Sequence, residues 1–363
     1  MQQPIQTLLN RLVSEGKERG LQVAAYVDGV LVVNAWAGVA DFHTGLPVDE
    51  STLFPVFSTT KGMVATVIHL LAERGLLSYD TPVSKIWPKF GVNGKEQITV
   101  RQVLNHSSGI PQMPAGIGFE ELCDWDLMCA KIAGQAPIWP PGTRMEYHAM
   151  TYGWILGEVA RRTDGRTFAR LLEDEICRPL GIQTMFAGIP DAVESRVAVL
   201  EEYELGTPPP DDGKPQSVPA SLGPLHAWMN RPDVRRACVP ASNGIMNALA
   251  IARHYAALLP GGVDGVELLP PARVRLATEM QKPDHPQGDD YPKNWGLGYA
   301  IGGNDSLYGD VSAFGHAGYG GSNGFADPQS GLAVGITKNL YHKEDTAGMI
   351  LKELRRAFEA ARR

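Results

Sequence analysis

A chain of 363 residues that is 44% hydrophobic and 20% charged is long enough for two packed units with a sizeable core. Its net charge of -7, with no run of five or more basic residues, excludes a nucleic-acid face and an anionic membrane as expected partners. Four cysteines without a Cys-x-x-Cys pair and nine histidines without a His-x-x-x-His or His-x-His pair supply neither a disulfide framework nor a metal-ligand set, so no cofactor and no metal are expected.

The first residues, Met1 to Arg11, lack a basic segment followed by an unbroken apolar one, and no apolar run reaches the roughly 20 residues that span a bilayer. A cytoplasmic protein is expected. Ile5, Leu8, Leu9 and Leu12 have the spacing of an amphipathic helix running to about Arg19 and ending at Gly20. Residues 21–27 and 30–36 then flank Asp28-Gly29, a strong signal for a two-residue hairpin turn. An antiparallel sheet therefore starts here, without the crossover a parallel sheet would need.

After a loop from Asp41 to Pro55 comes Phe57-Ser58-Thr59-Thr60-Lys61-Gly62-Met63, running into the apolar segment Val64 to Gly75. This reads as a nucleophile at the start of a helix. A serine hydroxyl needs a base, and Lys61 stands one helical turn on. The unpaired amides at the helix start would favour a developing oxyanion. By itself Ser-x-x-Lys is a common helix sequence.

Downstream, 98–106 reads as a helix capped by Thr99 and stopped at Ser107-Ser108-Gly109. Another helix follows Pro140-Pro141-Gly142 and carries Tyr152, Ile155, Leu156, Val159 and Ala160 on one face. The stretch 207–215 is rich in Pro, Gly and charge and marks an irregular surface excursion. A helix over 248–259 ends at Pro260-Gly261-Gly262. Strand character returns at 295–301, 324–327 and 332–338, before a closing helix over about 345–362 that packs beside the first. The expected fold class is α/β (α+β): an antiparallel sheet flanked by helices, with a mostly helical insertion. The domains would be 1–60 with 265–363, and 61–264 inserted between them, with an irregular loop near 201–240.

Three elements in order then carry a resemblance: Ser58-Thr59-Thr60-Lys61; Tyr147 in Glu146-Tyr147-His148-Ala149; and His316-Ala317-Gly318 in Phe314-Gly315-His316-Ala317-Gly318-Tyr319. With Ile98 to Gly109 in support, the chain resembles the serine β-lactamase and penicillin-binding-protein superfamily, and within it the family VIII carboxylesterases. The resemblance implies that Ser58 is the acylated nucleophile. Lys61 and Tyr147 would share one proton, with the Lys61 ammonium favouring a Tyr147 phenolate that takes the Ser58 proton and later activates water. The oxyanion would lie between the backbone amides of Ser58 and Tyr319, the latter following an edge strand. His316, Ala317 and Gly318 would bind substrate.

Two departures point the same way. Ala149 stands where the β-lactamases carry an asparagine that holds the substrate's amide side chain. His316 stands where they carry a lysine that attracts a carboxylate, and an unperturbed imidazole is mostly uncharged at neutral pH. Both favour a small-molecule ester as substrate. The alternatives with the same residues are a β-lactamase, a D-aminopeptidase-like hydrolase or an acyltransferase; from another class, a sensing module that acylates without turnover. Gly320-Gly321-Ser322-Asn323-Gly324 also fits the Gly-x-Ser-x-Gly nucleophile elbow, with Asp327 and His342 following, but a strand-like run follows Ser322 where a helix is required. His106 reads as a helix-end hydrogen-bonding residue. His148 either lines the cleft as a substrate-binding residue or flanks Tyr147. Trp139, Trp154, Trp228 and Trp295 are core candidates, one or two of which an apolar acyl pocket would use.

Overall fold

The computed structural model of the chain describes residues 1–203, 216–286, 294–303, 308–309 and 312–362. The proline-rich excursion expected at 207–215 lies wholly outside them.

Seven strands form one antiparallel sheet: β1 (Gly20–Val27), β2 (Val30–Asp41), β3 (Leu46–Pro47) and, beyond three short strands elsewhere, the late strands. The three short ones, β4 (Phe54–Pro55), β5 (Met185–Ala187) and β6 (Gly244–Met246), make a second small antiparallel sheet with β6 in the middle. The late strands are β7 (Ala300–Ile301), β8 (Phe314–Ala317), β9 (Asn323–Asp327) and β10 (Leu332–Lys338), and the large sheet runs β3-β2-β1-β10-β9-β8-β7.

The Asp28-Gly29 turn does as expected: both residues take positive φ, +48° and +75°, which matches the twist of the flanking strands. β1 is covered on both faces, and its residues sort by parity. Leu21, Val23 and Ala25 join α1 (Gln2–Ser14) and the closing helix Thr346–Ala361 in one core, whereas Ala24 and Tyr26 join the core shared with the inserted helices. Those inserted helices include α2 (Thr60–Glu73), α3 (Val100–Leu104), α4 (Thr151–Asp164) and α5 (Ala248–Ala256); the closing helix is α6.

α5 lies close against the sheet because Gly324 and Gly335 face each other across β9 and β10. A Cβ at Gly335 would stand 2.1 Å from the Ala248 carbonyl oxygen.

Some expectations change. α1 stops at Ser14, so Glu18 turns inward and is buried. The strand expected at 295–301 shrinks to β7, with Trp295 only bridging to Ala300. β8 is flanked by β7, but that pairing reaches only Phe314 and Gly315, so His316 and Ala317 run past the edge strand. α3 has the full capping box, Thr99 with Gln102. α4 begins only at Thr151, which leaves Tyr147 in the loop before it. Among the described residues no helix is long and apolar enough to cross a membrane.

Candidate active site

Ser58 sits in a tight turn rather than inside α2. Phe57, just before it, has φ +46°, a left-handed conformation that costs energy for a bulky residue. The surroundings hold it there. Val56 N–H donates to the Gly244 carbonyl at 2.9 Å, Thr60 Oγ1 donates to the Phe57 carbonyl at 2.5 Å, and Gly244 N–H donates back to Thr60 Oγ1 at 2.9 Å. The small sheet thus ties down both sides of the serine.

Lys61 is fully buried, and its Nζ has three oxygen neighbours: Ser58 Oγ at 3.0 Å, the Ala149 carbonyl at 2.7 Å and the Ala241 carbonyl at 2.8 Å. No carboxylate pairs with it among the described residues. Burial accordingly drives its pKa well below 10.5. A neutral amine has two N–H donors and one lone pair, and this geometry uses all three. In that form the carbonyls would take the two hydrogens and leave the lone pair to the Ser58 hydroxyl, whereas an ammonium would donate to all three oxygens.

Tyr147 presents its ring to the cleft, 38% exposed, and borders it together with Ser58. Desolvation raises its pKa above 10, and the Ser58 contact only partly opposes that. The Lys61 Nζ lies 4.9 Å from the Tyr147 ring centroid. Burial therefore favours amine and phenol over the ammonium and phenolate expected from sequence, with the same number of protons in the pair.

The opposite wall comes from β8 and the turn after it. His316 is buried, with Nδ1 2.7 Å from the Ala317 carbonyl; since a carbonyl only accepts, Nδ1 carries the proton. Burial is the largest cause that lowers its pKa, to about 3, so the ring is neutral at physiological pH. Ala317 borders the cleft. Gly318 does not; it is pressed against the serine turn, where a Cβ would stand 2.1 Å from the Val56 carbonyl oxygen. Tyr319 packs the edge of its ring on Phe57, centroids 5.5 Å apart, so the chain segments carrying the Ser58 and Tyr319 amides meet at one end of the cleft.

The cavity these residues enclose measures about 490 Å³. Its remaining walls are largely apolar and include Val218, Leu225, Trp228 and Trp295. Of the four tryptophans considered, Trp228 and Trp295 line it and Trp139 and Trp154 do not.

The substrate-binding place expected for His148 is corrected. Its side chain is completely buried behind Tyr147, where Nε2 accepts from Ile110 N–H at 3.1 Å and Nδ1 lies 2.6 Å from the Glu146 carbonyl. Ser322 is no rival nucleophile. It is buried, donates to the Val56 carbonyl at 2.7 Å and lies 3.2 Å from Thr59 Oγ1. Asp327 is engaged by Ser312 and Ser330, and His342 lies near Glu18, so no triad is assembled. Among the described residues no group of three His, Cys, Asp or Glu side chains is gathered to hold a metal.

Sequence reasoning missed the loop before β6, which supplies the Ala241 carbonyl and the cleft residue Ser242, and it missed Asn294 and Tyr308. A main-chain carbonyl leaves no residue-type signal. Only the long separation between Lys61 and residue 241 hides it, and that is a matter of tertiary folding.

The family model described as Beta-lactamase matches residues 5–356. The chain is 33% identical over 347 residues to the esterase/beta-lactamase LipL of Mycobacterium tuberculosis, covering 88% of this chain and 77% of that protein. Among solved structures it is similar to a family VIII carboxylesterase, with 31% identity, a TM-score of 0.86, and 97% and 96% of the two chains covered. A penicillin-binding-protein homologue from Caulobacter crescentus is 33% identical, with a TM-score of 0.83 and 98% and 96% covered.

Proposed function

The chain belongs to the Beta-lactamase family and is a serine hydrolase of esterase type, and on that premise we propose that it hydrolyses short-chain carboxylic esters through an acyl-enzyme on Ser58. The observation that carries this reading is the Lys61 amine, 3.0 Å from Ser58 Oγ, with its other two positions occupied by carbonyl oxygens. A buried lysine so placed is a base aimed at one hydroxyl.

Ser58 Oγ attacks the ester carbonyl while its proton passes to the Lys61 amine. The tetrahedral oxyanion lies between the Ser58 and Tyr319 amides. It collapses by breaking the carbon–oxygen bond to the alcohol, and the departing alkoxide takes the Tyr147 proton. The resulting phenolate is stabilised by the new Lys61 ammonium. In deacylation the phenolate removes a proton from water, hydroxide attacks the acyl carbon, and Lys61 returns its proton to Ser58 Oγ as the acyl bond breaks. Each group ends as it began.

Ester is favoured over β-lactam by the wall opposite Ser58. A neutral His316 offers no positive charge to a substrate carboxylate, and the apolar cleft accepts an uncharged acyl group. A β-lactamase side activity is the second reading, supported by the paired name of the mycobacterial relative.

The test is hydrolysis of p-nitrophenyl butyrate by wild type, Ser58→Ala and Ser322→Ala, with a chromogenic cephalosporin run in parallel. Steady turnover by wild type and Ser322→Ala, absent in Ser58→Ala, is expected. Full activity in Ser58→Ala would remove the nucleophile from this account. A single burst equal to the enzyme concentration would identify a sensor rather than an esterase.

A further inference from the structure

We propose that His106 is the positioning residue that holds Tyr147 against Ser58, working with His148 as a two-histidine clasp. The proposal rests on the role given above to Tyr147.

Tyr147 lies in a loop, so no helix or strand fixes its main chain. The bonds that do fix it converge on one residue. On one side of Tyr147, the Glu146 N–H donates to the His106 carbonyl at 3.1 Å; on the other, the His148 N–H donates to His106 Nδ1 at 3.1 Å. His148 completes the clasp from behind. Its Nδ1 lies 2.6 Å from the Glu146 carbonyl, and its Nε2 accepts from Ile110 N–H at 3.1 Å and faces Ser108 Oγ at 2.9 Å. The loop after α3 and the loop before α4 are thereby laced together on either side of the tyrosine. The His106 ring also packs against the Tyr147 ring, with centroids 4.9 Å apart, and against Trp295 at 4.8 Å.

Both tautomers follow from the donors. A main-chain N–H points at His106 Nδ1 and another at His148 Nε2, so neither nitrogen carries a proton. Burial lowers the pKa of both rings, that of His148 to about 4, which keeps the accepting lone pairs available. His106 bears two costs for this arrangement. Its φ is +62°, and its Nε2–H is buried without a hydrogen-bond partner among the described residues. An apolar side chain would fill the same space without the second cost. What it lacks is the acceptor at the δ position.

The experiment is a cycle of His106→Leu, His106→Asn, Tyr147→Phe and the double variant His106→Leu/Tyr147→Phe, read as kcat and KM on p-nitrophenyl butyrate, with thermal midpoints recorded. Asparagine keeps an acceptor at the δ position and tolerates a left-handed backbone. Displacing Tyr147 by about 1 Å should cost His106→Leu roughly 10²-fold in kcat with KM within about threefold, and His106→Asn should stay within about threefold of wild type. The double variant should be no slower than Tyr147→Phe alone, because a residue that acts only through the hydroxyl has nothing left to position. Should His106→Leu not fold, His106→Gln replaces it, since its amide oxygen lies one methylene too far. Wild-type kcat in the variant without the acceptor, or a loss that adds in full to that of Tyr147→Phe, overturns the proposal. Full activity in Tyr147→Phe alone overturns the role of Tyr147 itself, and is read separately.

Discussion

Two buried lysines in this molecule have opposite surroundings. Lys338, on β10, has its Nζ 2.5 Å from Glu18 Oε1 and 2.8 Å from Thr346 Oγ1, and both Lys338 and Glu18 are almost wholly buried. Thr346 also donates to Glu18. The cluster joins the turn after α1, the sheet and the start of α6. Lys61 is as deeply buried, but its polar partners among the described residues are two carbonyls and a hydroxyl. A buried ammonium with a carboxylate is a fastening between elements; a buried amine without one is a base. Burial alone does not decide the matter. Lys95 is also buried against two carbonyls, those of Val92 and Gln135, and its hydrogen-bond partners among the described residues include no hydroxyl.

The contrast can be broken by exchanging what each lysine does. Lys61→Met should lower kcat by about 10²–10⁴-fold, the scale of a positioned proton-transfer group, without lowering the denaturant midpoint. Loss of folding with little loss of activity per folded molecule would make Lys61 a fastening too. Lys338→Met should do the reverse. It leaves Glu18 buried and uncompensated, at about 3–5 kcal/mol in urea unfolding, while kcat of the folded fraction is unchanged.

A smaller effect separates the two by pH. The folded pKa of Lys61 lies below its unfolded value of about 10.5, so between the two the unfolded chain holds an extra proton and stability rises with pH. The gain is up to about 1.4 kcal/mol per pH unit in that window. The difference in unfolding free energy between wild type and Lys61→Met should rise with pH on the approach to about 10.5, and a flat difference would show that the amine keeps its proton in the folded state. The smallest effect is expected for Glu18→Gln/Lys338→Met, where both charges leave together. Its stability should return to within about 1 kcal/mol of wild type, whereas a persistent deficit would show that the fastening needs charge.

Much of this was legible beforehand. The Asp28-Gly29 hairpin, the Thr99 cap and the closing helix were local patterns, and local patterns survive in a sequence. Ser58, Lys61, Tyr147 and His316 were readable as residue types in order, and the structure brings them to one cleft. What was not readable depends on main-chain atoms or on tertiary approach. Residue identity carries no mark of the Ala149 and Ala241 carbonyls that hold the Lys61 Nζ beside Ser58. Nor does it tell that His148 faces away from the cavity, because a histidine beside a cleft tyrosine can turn either way until its neighbours are placed. The protonation of the Lys61 and Tyr147 pair is likewise a matter of surroundings, since burial shifts both groups toward their neutral forms.

The position of β1 in the sheet has a consequence for how the molecule assembles. β1 pairs on one side with β2, two residues away along the chain, and on the other with β10, so that Leu21 meets Lys338. The first contact is a hairpin that closes within microseconds; the second must close a loop of some three hundred residues, at an entropic cost that local pairing avoids. Contacts of such long range slow folding. Ser58 and Lys61 lie early in the chain, but β8, which forms the far wall of the cleft, joins the sheet only through β9 and β10. During synthesis the serine and its base are therefore made long before the wall opposite them, and hydrolytic activity should emerge only when the last strands have docked.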